Sequence, residues 1–441
     1  MDHGRFSRRF FLMGTVAAAA GCATGVSRRR IVGRRVSPNE KLNIAGIGVG
    51  GQGASDLDNL SRENIVALCD VDERRAAQTF RRFPKANRYR DFRVMLEKQK
   101  EIDAVVVATP DHVHAVASMM AIKMGKHVYC EKPLTHTIYE ARKLAEAARE
   151  AGVATQMGNS GQASDGVRLL CEWIWDGAIG PVREVHNWSD RPLGWWPQGI
   201  ERPKGTSPVP AGVDWDLWLG PAPYRPYNPA YLPFVWRGWF DFGTGALGDM
   251  GCHSFDPIFR ALKLGHPTSV EASSTEVFKE TYPLASIVRY RFPARGDMPP
   301  VELTWYDGGL KPGRPEELEE RQEMGKGGTL FVGDKGEMVG IPRRRGGMLL
   351  PRSRRQEYTP PPKTLPRSPG HFEEWIAACK GGKPAGANFE FASLVTEVVL
   401  LGNIAVRTGK KLRWDGPNLK ITNVREANDY LHCEYRKGWT L

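Results

Sequence analysis

Cysteine is scarce in this chain, seven residues in 441, and its spacing is as telling as its number. No two cysteines form a C-x-x-C pair, and none has zinc-ligand spacing with histidines, so a metal site or thiol redox pair is not expected. No internal repeat is visible. No strand or helix carries a basic face interleaved with aromatics, so a formal charge of +12 does not point to nucleic acid. The apolar, alanine-rich segment through Ala20 is too short to span a bilayer.

The position of the charge explains most of it. Residues 1–38 hold eight arginines against Asp2, a net +7, which leaves +5 for the rest. Arg343, Arg344, Arg345, Arg352, Arg354 and Arg355 cluster in one loop-like stretch. Ser7-Arg8-Arg9-Phe10-Phe11-Leu12 followed by the apolar segment resembles a twin-arginine export signal, which implies a periplasmic destination. Proteins on that route fold in the reducing cytosol, so disulfides are not expected among Cys22, Cys69, Cys130, Cys171, Cys252, Cys379 and Cys433. Ala19-Ala20-Gly21-Cys22 weakly resembles a lipoprotein processing site but lacks the usual leucine, which leaves a lipid anchor at Cys22 as the minority expectation. The length suits two domains, here 39–160 and 161–441 beyond the signal.

Lys41 to Ile47 is a short apolar strand running into glycines, and Gly46, Gly48 and Gly51 fit G-x-G-x-x-G, with Gln52 beside them. Such a loop lets a pyrophosphate approach the backbone at a helix N-terminus. Ile65 to Cys69 is a second strand ending in Asp70, where an acid contacting the adenosine ribose belongs. A 2′-phosphate beside Asp70 would meet about 4 kcal/mol of repulsion at close range. NAD is therefore expected over NADP unless Arg74 or Arg75 compensates. Asp103 to Pro110 carries the unbroken apolar run Ala104 to Ala108, the mark of a strand buried on both faces. Strands alternate with helices from 41 to 157, which predicts βαβ units and a parallel Rossmann sheet.

Beyond a helix near 163–176 the pattern changes to period two at 182–188, 269–278, 286–292 and 301–306, which predicts an antiparallel sheet with one face covered. Residues 189–240 form a long connection with Trp195, Trp196, Trp215, Trp218, Trp236 and Trp239, either a satellite core or platforms for sugar rings. Further helices are expected near 370–380 and 391–408.

Glu131-Lys132-Pro133 follows the strand 127–130, so both charges stand at the mouth of the sheet. Gly243 to His253 leads toward a helix expected to begin near Ser254, and a four-residue spacing lets Asp249 and His253 share one face of a helical turn. Histidine suits proton removal near neutral pH.

The glycine loop, Ala-Thr-Pro-Asp-His-Val-His, Glu-Lys-Pro and Gly-Asp-x-Gly-x-His together resemble the Gfo/Idh/MocA family of glucose–fructose oxidoreductase and inositol dehydrogenase over about residues 41–410. The resemblance implies a Rossmann domain, a C-terminal α/β domain with a large open sheet, and a dimer or tetramer. It implies that Lys132 hydrogen-bonds the reacting hydroxyl, Asp249 orients the substrate and His253 is the acid/base. Glu131 would lie near the nicotinamide ribose, with Thr109, Pro110 and His114 lining the cofactor. The tryptophan-rich connection and the Trp439 tail depart from the simplest members. The expected substrate is a sugar, sugar derivative or cyclitol. Two alternatives are a glycosidase that uses NAD without net redox and a non-catalytic sugar-binding relative.

Overall fold

A computed structural model describes residues 36–341 and 346–441. The Arg8-Arg9 motif, Cys22 and Arg343 to Arg345 lie outside the described residues.

The first unit contains β1 (Asn43–Ile47), α1 (Gln52–Asn59), β2 (Asn64–Cys69), α2 (Glu73–Arg82), β3 (Asn87–Tyr89), α3 (Phe92–Lys98), β4 (Ala104–Val107), α4 (Asp111–Lys123), β5 (His127–Cys130), α5 (Ile138–Ala151) and β6 (Thr155–Met157). Among the described residues, six parallel strands lie in the order β3-β2-β1-β4-β5-β6. All four side chains of β4 are buried, as a central strand covered on both faces requires. Local chemistry sets the ends of α5. Thr137 and Glu140 form a reciprocal capping box, and Gly152 takes the left-handed cap at φ 67°. The strand order reverses between β1 and β4, so the crevice at their carboxyl ends is the natural ligand site.

The second unit adds α6 (Asp165–Trp175), β7 (Val182–Trp188), α7 (Trp215–Leu219), α8 (Gly245–Leu262), β8 (Ser269–Ser274), β9 (Ser286–Phe292), β10 (Val301–Tyr306), β11 (Gly328–Gly333), β12 (Gly336–Ile341), β13 (Gly346–Leu350), α9 (Arg352–Glu357), α10 (His371–Cys379), α11 (Phe389–Thr408), β14 (Leu412–Asp415) and β15 (Lys420–Ile421). Nine described strands make one sheet, β13-β12-β11-β7-β10-β9-β8-β14-β15. It is mixed rather than purely antiparallel, because β7 and β10 pair in parallel. The strand expected over 269–278 stops at Ser274. Alternate sheet residues such as Val185, Tyr290, Leu303 and Phe331 pack against α6, α8 and α11 in one core.

The C-terminal helices return to the first unit. Trp375 of α10 joins Leu42, Ile44 and Tyr129 in one core, and Phe389 of α11 joins another with Val105 and Cys130. Helix α11 is apolar and 20 residues long, enough to cross a membrane by length and composition, but most of it is buried between the two units. The described cysteines are free thiols, five of them buried.

Candidate active site

The glycine loop is built one step later than its spacing suggests. Strand β1 runs through Gly46 to Ile47, and Gly46 packs against Val49 and Leu57 without lining the cavity. Gly48 makes the turn at φ 78°, and a Cβ there would stand 2.7 Å from the Ala108 carbonyl oxygen. Gly53, in the first turn of α1, would place a Cβ 1.9 Å from the Gly48 carbonyl oxygen. The working frame is therefore Gly48-x-Gly50-x-x-Gly53, with Gly51 at φ 59° between them. The first glycine turns the chain, and the last allows helix and strand to touch. Gly53→Ala is expected to lower NAD affinity by at least about tenfold, by forcing α1 away from the loop. Gly161→Ala, where a Cβ meets open space, is the control. Calorimetric titration with NAD checks both, and equal affinities would refute this frame.

Gly48, Gly50, Gly51, Gln52, Asp70, Thr109, Pro110, Glu131 and Lys132 line one cavity of about 360 Å³. Its opposite wall comes from the tryptophan-rich connection, through Leu217, Trp218, Leu232 to Phe234, Trp236 and Arg237, and from Trp439 of the tail. The connection has a core of its own, in which Trp215 stacks on Trp218 at 4.8 Å and both pack with Trp236 and Trp239. These four are satellite core, whereas Trp195 is half exposed. A glycine cradle without room for side chains, a carboxylate beside it and an apolar wall opposite fit an extended dinucleotide.

Asp70 stands at the end of β2 as expected, with a duty the sequence did not show. Its carboxylate accepts from the Val49 and Gly50 amides at 2.8 and 3.1 Å and from the Asp72 amide at 2.9 Å. It thus shapes the glycine loop as well as charging it. Arg74 is drawn to Asp72, and Arg75 lies along the loop.

His114 does not line the cofactor cavity. Its ring is buried, with Nδ1 2.8 Å from the Pro133 carbonyl oxygen and Nε2 2.8 Å from that of Thr109. It acts as a strut between two loops, and burial pushes its pKa down to about 4.

Lys132 sits just past β5, and its Nζ donates to Asp249 Oδ1 at 2.7 Å. Arg237 donates to the same oxygen through Nε at 3.0 Å. Burial alone would raise the Asp249 pKa, but these two cations hold it well below the usual carboxylate range. Burial opposes the charge on Lys132, and Asp249 outweighs that, so the ammonium is retained. Glu131 is buried behind it, and Gly158 allows its carboxylate in, since a Cβ at Gly158 would lie 2.1 Å from Oε1. Burial and the nearby Asp56 raise the Glu131 pKa; burial likewise raises that of Asp56, which accepts from Gln52 at 2.9 Å.

Helix α8 begins at Gly245, not near Ser254, so Asp249 and His253 are one turn apart on an established helix. His253 Nδ1 lies 2.8 Å from Asn159 Oδ1. The Asn159 amide nitrogen donates to the Cys252 carbonyl and to Asp256 Oδ2. With its amino group committed to acceptors, Asn159 presents an oxygen to the imidazole, which fixes the proton on Nδ1 and the lone pair on Nε2. Asp256 is held in turn by Arg260 at 2.6 Å. Arg237, Asn159 and Asp256 were missed from sequence. Asn159 had a signal, since it lies just past the carboxyl end of β6.

Two family profiles match the chain, an oxidoreductase family's NAD-binding Rossmann fold over 42–159 and its C-terminal alpha/beta domain over 194–292. Both matched regions are domains of the Gfo/Idh/MocA oxidoreductase family. The chain's Rossmann unit is the family's NAD-binding domain. Levoglucosan dehydrogenase of Pseudarthrobacter phenanthrenivorans is 29% identical over 136 residues, 29% of this chain and 35% of that protein. Inositol 2-dehydrogenase of Rubrobacter xylanophilus is 34% identical over 118 residues, 26% and 33% of the two chains. The aligned stretch spans about a third of the length of these curated relatives. The WlbA dehydrogenase from Bordetella pertussis, solved with NADH and UDP-GlcNAcA, matches with a TM-score of 0.61 at 16% identity, covering 85% of this chain and 99% of that one. At that identity the likeness concerns the fold.

Proposed function

We propose that this Gfo/Idh/MocA member oxidises a secondary hydroxyl of a sugar, sugar derivative or cyclitol, with NAD held in the cavity between the glycine loop and the tryptophan-rich wall. The observation that carries the reading is the buried Lys132–Asp249 pair at 2.7 Å, in which Lys132 lines the cavity and Asp249 stands one turn of α8 from His253. The relatives named levoglucosan and inositol dehydrogenase support the substrate class.

His253, with its lone pair on Nε2, removes the hydroxyl proton. Lys132 stabilises the oxygen as negative charge develops on it. Asp249 and Arg237 keep the ammonium aimed and charged. When bound, NAD supplies the hydride acceptor; the protein supplies position and electrostatics. The residues that would hold it are the Gly48 to Gln52 loop, Asp70, Thr109, Pro110 and Glu131. Mixing the protein with a panel of monosaccharides, anhydrosugars and cyclitols and following nicotinamide fluorescence tests the reading. Reduction by none of them would defeat it.

NAD is the expected partner rather than NADP, because Asp70 charges the loop and Arg74 is committed to Asp72, which leaves Arg75 at the cavity wall as the cation set against that charge. Asp70→Ala should weaken NAD and narrow its advantage over NADP, since the variant loses both the charge and the acceptor for the Val49 and Gly50 amides. Equal affinity of the wild type for the two cofactors would contradict the charge argument. Export by the twin-arginine route to the periplasm is part of the same proposal, supported by Arg8-Arg9 and the apolar segment after it.

A further inference from the structure

Arg191 follows β7 at the start of the long connection, outside the dinucleotide cavity. Its guanidinium carbon lies 3.1 Å from the centre of the Trp195 ring and 5.9 Å from that of Trp196. Arg237 approaches Trp196 to the same 5.9 Å, so one indole stands between two guanidinium groups. Stacking on Trp195 covers a face of Arg191 but satisfies none of its N–H edges. Nε and Nη1 are both buried without a hydrogen-bond partner. Leaving such donors unmade is costly, and more so for a charged group.

The carboxylates nearby do not meet this need. Asp249 opposes the lowering of the Arg191 pKa by burial, so it is within electrostatic reach, yet its Oδ1 already accepts from Lys132 and Arg237. Asp190 pairs with the exposed Lys326 at 3.9 Å. Three cations thus converge where one buried carboxylate serves two of them. Around them Trp195 and Phe234 are partly exposed, apolar surface suited to a sugar ring face.

We propose that Arg191 is a carboxylate-binding residue, and that the substrate of this site is an acidic sugar of the uronic type. Nε–H and Nη1–H lie on different edges of the guanidinium, so each offers a charged donor to one carboxylate oxygen. The assignment rests on the sugar-oxidation reading above and names its substrate class. It gives Arg191 a positioning role: gripping the acid group sets which ring hydroxyl faces Lys132 and His253.

The test uses the full protein with its bound nicotinamide. Reduction is followed by fluorescence for D-glucuronate and D-galacturonate against D-glucose and D-galactose, with a glucose phosphate as a third arm. The acids are expected to half-saturate at concentrations at least about tenfold lower than their neutral parents. Arg191→Met should collapse that ratio to near one, and Arg191→Lys, which keeps the charge, should fall between. Neutral sugars matching the acids, the phosphate preferred over both acids, or an unchanged ratio in Arg191→Met would overturn the carboxylate assignment and leave sugar oxidation standing. No reduction by any sugar or cyclitol, charged or neutral, would remove the oxidation reading and this inference with it.

Discussion

Lys132→Ala is expected to lower turnover by about 100- to 10,000-fold while the protein stays folded and keeps its nicotinamide. The ammonium is the group placed to meet negative charge on the reacting oxygen, held by Asp249 Oδ1 at 2.7 Å. Its removal leaves Asp249 with Arg237 at 3.0 Å, so the buried carboxylate keeps one cation and the fold survives. An uncompensated buried charge would cost about 3–5 kcal/mol, and Arg237 averts that. His253→Ala should give a loss of the same order and flatten the acid side of the pH–rate profile, because the base would then be absent. Turnover is measured on protein whose nicotinamide content matches the wild type. A rate near wild type in either variant would remove that residue from the mechanism.

Purified protein is expected to carry nicotinamide, to turn over without added NAD and to release no NADH. The wall opposite the glycine loop is fastened to the Rossmann unit instead of hanging from a hinge. Asp214 donates its amide to the Val71 carbonyl at 2.8 Å and Glu73 its amide to the Gly212 carbonyl at 3.1 Å, while the Arg436 guanidinium ties the tail to the Gly220 carbonyl of the wall at 3.1 Å. His112 is buried between the Trp218 and Phe242 carbonyls, and Trp439 closes the edge near Phe92. A dinucleotide between such walls is expected to exchange slowly. Folded export, as proposed from Arg8-Arg9, would carry it out already loaded. Each turnover must then return the cofactor to its starting form. The hydride taken from one hydroxyl goes either to the carbonyl of a second substrate or back to the keto intermediate after another bond has broken. Product analysis distinguishes the two routes. Empty protein that makes stoichiometric free NADH from added NAD and a polyol would sink the closed cycle and leave an ordinary dehydrogenase.

The sequence by itself determined the elements whose cause is local. The all-apolar β4, the Thr137–Glu140 cap and Gly152 of α5, and the strand ends before Asp70 and Glu131 need only neighbours along the chain to form. The same locality put Lys132 and Glu131 at the carboxyl end of the sheet. What only the tertiary structure decided depends on groups far apart in sequence. The glycine-rich run offers two frames of equal spacing, and the contact of Gly53 with Gly48, beside Ala108, selects the later one. Helix α8 starts nine residues before the expected Ser254 because its glycines, poor helix formers alone, are required by packing. A Cβ at Gly251 would lie 2.8 Å from Val399 of α11, and the burial of α8 against α11 outweighs the propensity. His114 is a strut because the Pro133 carbonyl, 19 residues away, reaches its ring. The tautomer of His253 rests on Asn159, 94 residues distant, and the unpaired edges of Arg191 on where Asp249 spends its oxygen. Hydrogen bonds and close packing across such separations leave no periodic trace in a single sequence, so they become visible only when the chain is folded.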